Sequence, residues 1–392
     1  MKNYDVIIIG GGIIGSSTAY FLSAQEDFQG SIALIEPDPA HKNSSTGLSV
    51  GGIRQQFSTL LNIRISQFAL QFLSRIDELL TVDGYNPEVK LTANGYLTLS
   101  TARGLDDLLH NYRIQSESGT HGRLLYQKEL GEEFHFLNVN DLSAGIFGHS
   151  AEGWIDPYSL LKRFVNKAVE NGVECIRNTV KGLDITGGKI NSAILENGDN
   201  YTASIFVNAC GPKAAGLVRM AGINDLPVQS RKRQVFVFRS HIDLPGCPLV
   251  VDPSGVYFRP EGKQFLCGMS PPGDQDPETD DANIDNSFFE DVIWPVLANR
   301  VPAFEAVRRE HAWAGHYAYN TIDQNAIIGY HPKISNMLLA NGFSGHGLQQ
   351  APAIGRGISE LITYGKYKSL DLTEFSFERF ENGELIIERL VV

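Results

Sequence analysis

The stretch Asp5-Val-Ile-Ile-Ile-Gly-Gly-Gly-Ile-Ile-Gly15 decides how the first part of this chain folds. Residues 6–9 form a short apolar run that is typical of a buried parallel strand. Gly10, Gly12 and Gly15 follow in the spacing G-x-G-x-x-G, and a helical apolar pattern continues after them. Gly10 permits a tight turn, Gly12 lets a pyrophosphate approach the backbone, and Gly15 lets the helix pack closely on the strand. The stretch therefore predicts a strand, turn and helix that bind a dinucleotide.

An acidic residue follows at the distance that such a unit requires. A second strand at residues 31–36 ends in Glu36, 21 positions after Gly15. This is close to the offset of about 20 residues at which a carboxylate reaches the ribose hydroxyls. A purely structural glycine turn is the alternative. The strand before the turn, the helix after it and the position of Glu36 favour dinucleotide binding.

The composition limits the class of protein. The chain has 392 residues, of which 42% are hydrophobic and 20% are charged, as in an ordinary soluble enzyme with two domains or one large domain with an insert. The net charge of -12 argues against nucleic acid or an anionic membrane surface as a partner. The apolar runs are too short to span a bilayer, and the nucleotide fold starts without room for a targeting peptide.

The cysteines indicate the compartment. Cys175, Cys210, Cys247 and Cys267 are widely spaced and form no C-x-x-C pair. This pattern is typical of reduced thiols, and it gives no reason to expect a metal site. We therefore expect a cytoplasmic protein. A peripheral position on the inner face of a membrane is left open.

A loop after Glu36 has the composition of a cofactor-contacting segment. Two prolines stop regular structure, and small hydroxylated residues and glycines then dominate up to Gly52. The stretch is uncharged at residues 43–53, and Arg54 follows it. Free N–H and O–H donors suit contact with phosphate or a flavin chain. A flexible surface loop is the alternative.

The order of elements predicts two kinds of sheet. Strands and helices alternate up to about residue 225, with a long helix at residues 60–80, whereas consecutive strands follow from residue 232. This change indicates an antiparallel sheet on the substrate side. A second glycine-rich turn, Asn341-Gly-Phe-Ser-Gly-His-Gly347, lies between a strand and a helix at residues 348–363. Pro352 predicts that this helix starts late or is bent.

The second turn predicts a contact with a flavin ring. Its backbone donors and the helix dipole would stabilise negative charge at the pyrimidine edge of a reduced flavin. A tight turn around a core histidine, His346, is the alternative, and the turn alone does not decide between them.

Five segments together resemble the D-amino-acid oxidase superfamily of flavoproteins. They are residues 10–15, Gly51-Gly-Ile-Arg-Gln-Gln-Phe57, Tyr257-Phe-Arg-Pro-Glu261, Trp313-Ala-Gly-His-Tyr317 and Gly342-Phe-Ser-Gly-His-Gly347. The likeness is closest to the branch of sarcosine oxidase, dimethylglycine dehydrogenase and dye-linked L-proline dehydrogenase. The last third is also similar to the mitochondrial FAD-dependent oxidoreductase domain-containing family, which includes a complex I assembly factor.

The resemblance implies an α/β (α+β) fold in which a Rossmann-like FAD-binding domain is interleaved with an antiparallel-sheet substrate domain. It assigns residues 1–80, 150–225 and 310–392 to the FAD-binding domain and residues 81–149 and 226–309 to the substrate-binding domain. It implies non-covalent FAD as the cofactor. It also implies these cofactor-binding residues: Gly10, Gly12, Ile13, Ile14, Gly15, Glu36, Pro37, Ser44, Ser45, Thr46, Ser49, Val50, Gly51, Gly52, Val180, Ala209, Cys210, Gly211, Gly315, Gly342, Phe343, Gly345, His346, Gly347 and Leu348.

The resemblance further implies substrate-side roles. Arg54 matches an arginine that grips the substrate carboxylate, a task that suits the planar guanidinium fork. A structural ion pair is the alternative for Arg54. Tyr257 and Arg259 lie two apart on a strand and face the same side, so Tyr257 lines the pocket, and Arg259 either joins it or is a solvated residue. His346 and His316 are expected beside the ring.

Three matching positions differ from the sarcosine oxidases. His316 matches a cysteine that bonds to the flavin, so a thioether is impossible there, although attachment through a histidine stays open. Gln349 replaces a lysine that holds the carboxylate, and Leu266 replaces a lysine that activates oxygen. Without a cation to stabilise superoxide-like charge, a dehydrogenase that passes electrons to a quinone or carrier protein is favoured over one that uses O2.

The predicted function is FAD-dependent oxidation of the C–N bond of a secondary amine or amino acid by hydride transfer to flavin N5. Sarcosine, dimethylglycine, proline and D-amino acids represent the expected substrate class. The first alternative is an FAD-containing assembly factor for a respiratory complex with little or no amine turnover, and a partner subunit is left open. The second alternative is a nicotinamide dehydrogenase, which would leave the second glycine turn and the loop at residues 44–52 without a task.

Overall fold

The computed structural model describes residues 2–149 and 151–388. Its strands, in chain order, are β1 (Lys2–Ile9), β2 (Ile32–Ile35), β3 (Gly52–Ile53), β4 (Tyr96–Thr101), β5 (Gly122–Tyr126), β6 (Leu142–Gly148), β7 (Gly153–Trp154), β8 (Glu174–Ile176), β9 (Val180–Thr186), β10 (Lys189–Leu195), β11 (Asn200–Asn208), β12 (Val228–Arg239), β13 (Leu249–Val251), β14 (Tyr257–Glu261), β15 (Gln264–Gly268), β16 (Arg308–Asn320), β17 (Ile327–His331) and β18 (Ile334–Asn341).

The α-helices are α1 (Ile13–Ser23), α2 (Leu60–Ser74), α3 (Ile76–Leu80), α4 (Leu105–Glu117), α5 (Gln127–Glu133), α6 (Pro157–Glu170), α7 (Ala214–Arg219), α8 (Trp294–Arg300), α9 (Gly347–Tyr364) and α10 (Glu378–Asn382). A π-helix (Phe288–Ile293) leads directly into α8. Within the described ranges, no helix combines the length and the apolar character that a bilayer span requires.

The first sheet has the order β17-β18-β11-β1-β2-β8, with the β9–β10 hairpin attached to β11. The strands from β18 to β8 are parallel, whereas β17 is antiparallel to β18. One face packs on α1, α2, α6 and α9 through a cluster that includes Val6 and Ile8, and the other face packs through Ile7 and Ile9. Apolar residues on both faces explain why β1 reads as a continuous apolar run.

The second sheet has the order β16-β12-β15-β14-β13-β4-β6-β5 and is antiparallel except for the β13–β4 pair. Its two faces differ because successive side chains point to opposite sides of a strand. The phenylalanine face buries Leu97, Phe236, Phe238, Phe258 and Phe265 in one cluster. The register places another set on the opposite side, which we call the tyrosine–arginine face: Tyr96, Arg231, Arg233, Tyr257, Arg259, Tyr317 and Tyr319.

The chain passes repeatedly between the two sheets, and the prediction of a mixed α/β fold with parallel and antiparallel sheets is confirmed. The predicted domain limit at residue 310 falls inside β16, which pairs with β12 along the second sheet. The limits at residues 1, 150 and 392 fall outside the described residues.

Two predictions about helices need correction. The helix predicted at residues 60–80 is divided into α2 and α3, because Arg75 leaves the helical conformation at φ −114° and ψ 15°. The helix that contains Pro352 does not start late, since it begins at Gly347 and continues through the proline; the predicted bend stays a prediction. Burial compensates for the lost backbone hydrogen bond, since most of α9 is buried.

Candidate functional site

The first glycine turn is tight enough to exclude side chains. Gly10 has φ 102°, and a Cβ there would collide with the Ala209 carbonyl, just as a Cβ at Gly15 would collide with the Gly10 carbonyl. Helix α1 begins at Ile13 after Gly12, a residue with no side chain to cap the helix, and Thr46 of the following loop accepts from the first helical N–H. The N–H groups of the first turn and the helix dipole therefore suit an anionic group such as a pyrophosphate. The residues fit the phosphate part of FAD.

Glu36 lies against this turn, as the spacing predicts. Its carboxylate accepts hydrogen bonds from Gly11 N at 2.8 Å and from Asp38 N at 2.9 Å. Cys210 lies on the other side, where its Sγ donates to the Ile9 carbonyl at 3.3 Å. Burial and the neighbouring Glu36 charge raise the pKa of Cys210 to about 12, so the thiol is neutral. Val180 is buried in the same apolar cluster as Ile9.

The loop at residues 43–52 connects the first turn to the second sheet. Thr46 Oγ1 accepts from Ile13 N at 3.1 Å, and Ser45 Oγ donates to the His316 carbonyl at 2.5 Å. Leu48 O accepts from the Trp313 indole at 2.9 Å. Val50 packs on the apolar part of the tyrosine–arginine face. These contacts hold the hydroxyl groups of the loop beside the N-terminus of α1 and contradict the alternative of a flexible surface loop.

The second glycine turn lies against the same face. Gly345 has φ 101°, and a Cβ there would lie 2.5 Å from Cε2 of Tyr317. Gly315 is similarly close to Leu48, with 3.1 Å from a built Cβ to the Leu48 Cβ. Helix α9 begins at Gly347, and no side chain among the described residues caps its N-terminus. The free N–H groups of this turn fit the polar edge of a flavin ring.

Arg54, His346 and Gln349 meet at the start of α9. Gln349 Oε1 accepts from Arg54 N at 2.8 Å, and the Arg54 guanidinium lies 3.1 Å from His346 Nε2 through Nη2. Its Nη1 donates to the Gln56 carbonyl, and the guanidinium stacks at 4.3 Å on the Phe57 ring. The structure thus brings Arg54 to two residues that lie almost three hundred positions later in the sequence.

These contacts determine the state of His346. A guanidinium has only donors, so His346 Nε2 must accept the hydrogen bond and the ring proton must be on Nδ1. Burial and the neighbouring Arg54 charge lower the pKa of His346 to about 3. His346 is therefore neutral across the physiological range, and it orients Arg54 without adding positive charge.

Tyr257 and Arg259 lie on the tyrosine–arginine face, on the side of the sheet that meets the loop. Arg259 Nη2 donates to the Val50 carbonyl at 2.9 Å, and its guanidinium stacks at 4.9 Å on Trp154. Burial is the main reason that the pKa of Tyr257 is raised well above its usual value, so its phenol stays protonated. Leu266, the position that replaces a lysine, belongs to the apolar cluster of Val50 and Trp313 on this face.

The structure does not bring His316 into this cluster. His316 Nε2 lies 3.1 Å from the Asp281 carbonyl, in the loop before the π-helix. The next residue along β16, Tyr317, contacts Gly345, and neighbouring residues in a strand point to opposite faces. The backbone of His316 contacts the cofactor-lining loop, where its carbonyl accepts from Ser45 Oγ.

Sequence reasoning missed Tyr96, Tyr317, Arg233 and Glu152. Tyr317 is in the quoted Trp313–Tyr317 segment, and two-residue periodicity with Gly315 would have selected it. Glu152 Oε1 accepts from Gln55 N at 2.6 Å and Oε2 from Gln56 Nε2 at 2.7 Å. Burial, opposed by these hydrogen bonds, raises the pKa of Glu152 to about 7. No local sequence signal marks Glu152.

Comparisons with known proteins agree with this geometry. A family model, described as DAO, FAD dependent oxidoreductase, matches residues 5–361. FAD-dependent oxidoreductase domain-containing protein 1 of Xenopus laevis is 38% identical over 423 residues, covering 99% of this chain and 85% of that protein. Sarcosine oxidase subunit beta of Arthrobacter sp. is 25% identical, covering 99% and 93% respectively. The crystal structure of L-proline dehydrogenase from P. horikoshii superposes with a TM-score of 0.86 at 27% identity, covering 98% of this chain and all of that one.

Proposed function

The chain belongs to the DAO family of FAD-dependent oxidoreductases, and on that premise we propose that it oxidises the C–N bond of a secondary amine or an amino acid. Its cofactor is FAD, as the sequence predicted. Sarcosine, dimethylglycine, proline and D-amino acids define the proposed substrate class. The cytoplasm is the proposed compartment, on the basis of the unpaired spacing of the cysteines.

The observation that carries the proposal is the position of Arg54. Its guanidinium lies between the second glycine turn and the tyrosine–arginine face, held by His346 and stacked on Phe57. A buried guanidinium recognises a carboxylate through two parallel hydrogen bonds, and the low dielectric of the site strengthens them. We propose that Arg54 binds the substrate carboxylate and so fixes the α-carbon in front of the glycine turn.

The remaining residues orient the substrate and exclude water. Tyr257 closes one side of the pocket and Arg259 connects that side to the loop at Val50. FAD, when bound, supplies the acceptor for the two electrons of the C–H bond. If the amine binds in its neutral form, the protein needs no general base, so holding the C–H bond at the ring provides most of the catalysis. Gln349 contributes by fixing the backbone of Arg54.

The residues around Leu266 support a proposal for the electron acceptor. Leu266 packs with the apolar side chains of Val50, Val235, Val237 and Trp313. Leu266 supplies no cation, and the Arg259 guanidinium opposite it on β14 is already bound to Glu261 and to the Val50 carbonyl. A dehydrogenase that reduces a quinone or a carrier protein therefore fits better than an oxidase, because an uncompensated cation is what stabilises reduced oxygen species.

A second candidate function is an FAD-containing assembly factor for a respiratory complex. The observation that favours it is the 38% identity to a protein whose name states a domain and no substrate, against 25% to the sarcosine oxidase subunit. This alternative requires bound FAD without amine turnover, and a partner subunit would then be part of the functional unit.

An anaerobic titration tests the proposal. Purified holoprotein would be mixed with sarcosine, dimethylglycine, L-proline and several D- and L-amino acids while the visible flavin spectrum is recorded. We expect one of them to bleach the oxidised band, and slow return of colour in air would identify a dehydrogenase. Reduction by dithionite alone, with no response to the whole panel, would contradict amine oxidation and support the assembly role.

A further inference from the structure

Arg233 is a buried arginine on the tyrosine–arginine face that the proposed reaction has not used. It lies on β12, opposite Gly315 of β16, and its side chain is 9% exposed. Its guanidinium stacks on the ring of Tyr317 with 4.9 Å to the centroid and lies 5.9 Å from that of Tyr319. Arg233 therefore presents a fixed cation at the surface that covers the pocket.

An internal carboxylate fills the fork of this guanidinium. Asp276 Oδ1 accepts from Arg233 Nη1 at 2.7 Å, and Oδ2 accepts from Nη2 at 2.8 Å. Asp276 comes from the loop at residues 269–285, which returns along the part of β12 that β15 leaves unpaired. Thr279 N donates to the Ser230 carbonyl at 2.9 Å, and the backbones of Glu278 and Arg231 form an isolated antiparallel β-bridge. Arg233 is thus already arranged to bind a carboxylate bidentately.

A second observation indicates that the Asp276 contact is incomplete. Arg233 Nε is buried and has no hydrogen-bond partner among the described residues. A buried N–H without an acceptor loses its hydration without compensation, which an added anionic group could correct. The guanidinium therefore retains binding capacity beyond what Asp276 uses.

A neighbouring ion pair also holds the loop to β12. Lys232 Nζ binds Asp281 Oδ2 at 2.8 Å, with side chains 23% and 40% exposed, from the opposite face of β12. This pair ties the same loop to the same strand at the surface, where desolvation costs little. Burying the Arg233–Asp276 pair costs more desolvation, and its bidentate geometry gives Arg233 the arrangement of a carboxylate-binding residue.

Tyr317 connects Arg233 to the proposed substrate site. Its ring is stacked under Arg233 and packs against Gly345, next to the His346 that orients Arg54. Burial raises the pKa of Tyr317, while the charges of both Arg233 and Arg54 oppose the rise, which places Tyr317 within reach of both arginines. Two guanidinium groups, those of Arg233 and Arg54, therefore lie near the same tyrosine.

We propose that Arg233 is a second carboxylate-binding residue of the pocket, and that Asp276 occupies it until a substrate with two carboxylates displaces the aspartate. This inference rests on the proposed function and narrows its substrate class to N-substituted or amino dicarboxylic acids. One carboxylate would bind Arg54 and the other Arg233. The exchange replaces one bidentate carboxylate by another and returns Asp276 to water, so it requires no uncompensated buried charge.

Calorimetric titration of the holoprotein with glutarate and with valerate tests the inference. The two probes have chains of equal length and differ in the second carboxylate. We expect glutarate to bind at least about tenfold more tightly than valerate. The variant Asp276→Asn should strengthen glutarate binding further and leave valerate binding unchanged, because it removes only the competing carboxylate.

Two further variants complete the test. Asp281→Asn loosens the same loop at the Lys232 contact and should leave both affinities unchanged. Arg233→Lys keeps the charge but loses the fork, and should remove most of the preference for glutarate. Equal affinity for the two probes in Asp276→Asn, or an undiminished glutarate preference in Arg233→Lys, would overturn the inference. Neither titration requires flavin reduction, so a failure of the amine panel and a failure of this proposal are separate results.

Discussion

Successive residues of the same strands point to opposite faces of the second sheet, and the two faces differ in their role. On β14, Phe258 is 1% exposed and packs edge-on against Phe304 at 5.5 Å, whereas Tyr257 and Arg259 on either side of it face the loop and the glycine turn. The phenylalanine face is uniform and apolar, so it contributes stability. The tyrosine–arginine face carries buried polar groups that cost desolvation, which a folded protein retains mainly where they bind something.

The largest expected difference between the faces is in stability. Phe258→Ala should lower the free energy of unfolding by about 3–5 kcal/mol, because it leaves a cavity among Phe304 and its neighbours. Tyr257→Phe removes only a hydroxyl and should cost less than about 1 kcal/mol. Urea unfolding of the holoproteins measures both. Similar losses for the two variants would mean that the faces do not divide stability and binding in this way.

The second-largest expected effect is the pH dependence of stability caused by Glu152. Gln56 Nε2 donates both to Glu152 and to the carbonyl of Tyr96, so Glu152 lies at the edge of the tyrosine–arginine face. Burial raises its pKa from the ordinary 4.5 to about 7, so the folded protein holds a proton that the unfolded chain has lost. The stability that this group contributes is complete below pH 4.5 and is lost as pH rises through 7. Unfolding free energy should therefore fall by roughly 2–3 kcal/mol from this group between pH 5 and pH 8.

Glu152→Gln is the matched test of that effect. Glutamine resembles the protonated acid and does not titrate, so the pH-dependent part should disappear while stability at pH 5 stays close to that of the native protein. Denaturant unfolding at both pH values gives the comparison. A variant that keeps the full pH dependence would show that another group causes it.

Sequence reasoning succeeded where the information is local. The strand, glycine turn and helix around Gly10 follow from spacing, and so does the place of Glu36 beside Gly11. The second turn is similar, since Gly342 and Gly345 both have positive φ that glycine accepts without strain. The fold class followed from the change between alternating elements and consecutive strands.

The rest required long-range pairing that spacing cannot supply. Glu152 meets Gln56 across 96 positions, and Arg233 meets Asp276 through a loop that returns along its own strand. Pro352 was misleading because packing of α9 outweighs the loss of one backbone hydrogen bond. His316 was assigned by motif alone, and the alternation of β16 directs its side chain to Asp281.

The third-largest expected effect is at Arg54, on the side of the proposed pocket opposite the tyrosine–arginine face. An arginine outside the pocket provides the comparison. Arg54→Lys keeps the charge but cannot reproduce the contacts with both Gln56 and His346. Valerate affinity should fall roughly thirtyfold, about 2 kcal/mol. Arg123→Lys is the control, since Arg123 pairs with Glu133 in an exposed bidentate contact and should leave valerate binding unchanged. Equal effects of the two variants would argue against a carboxylate site at Arg54.

The smallest expected effect is at Gln349, which supports Arg54 from α9. Gln349→Leu leaves the buried Arg54 N–H without its acceptor and should cost about 1 kcal/mol of stability. Gln349→Glu keeps an acceptor oxygen at the same place, so the hydrogen bond survives, but it adds a negative charge beside Arg54 that would repel a bound carboxylate and should weaken valerate binding. Unfolding and calorimetry together separate the two effects. Undiminished valerate binding by Gln349→Glu would argue against a carboxylate bound at Arg54.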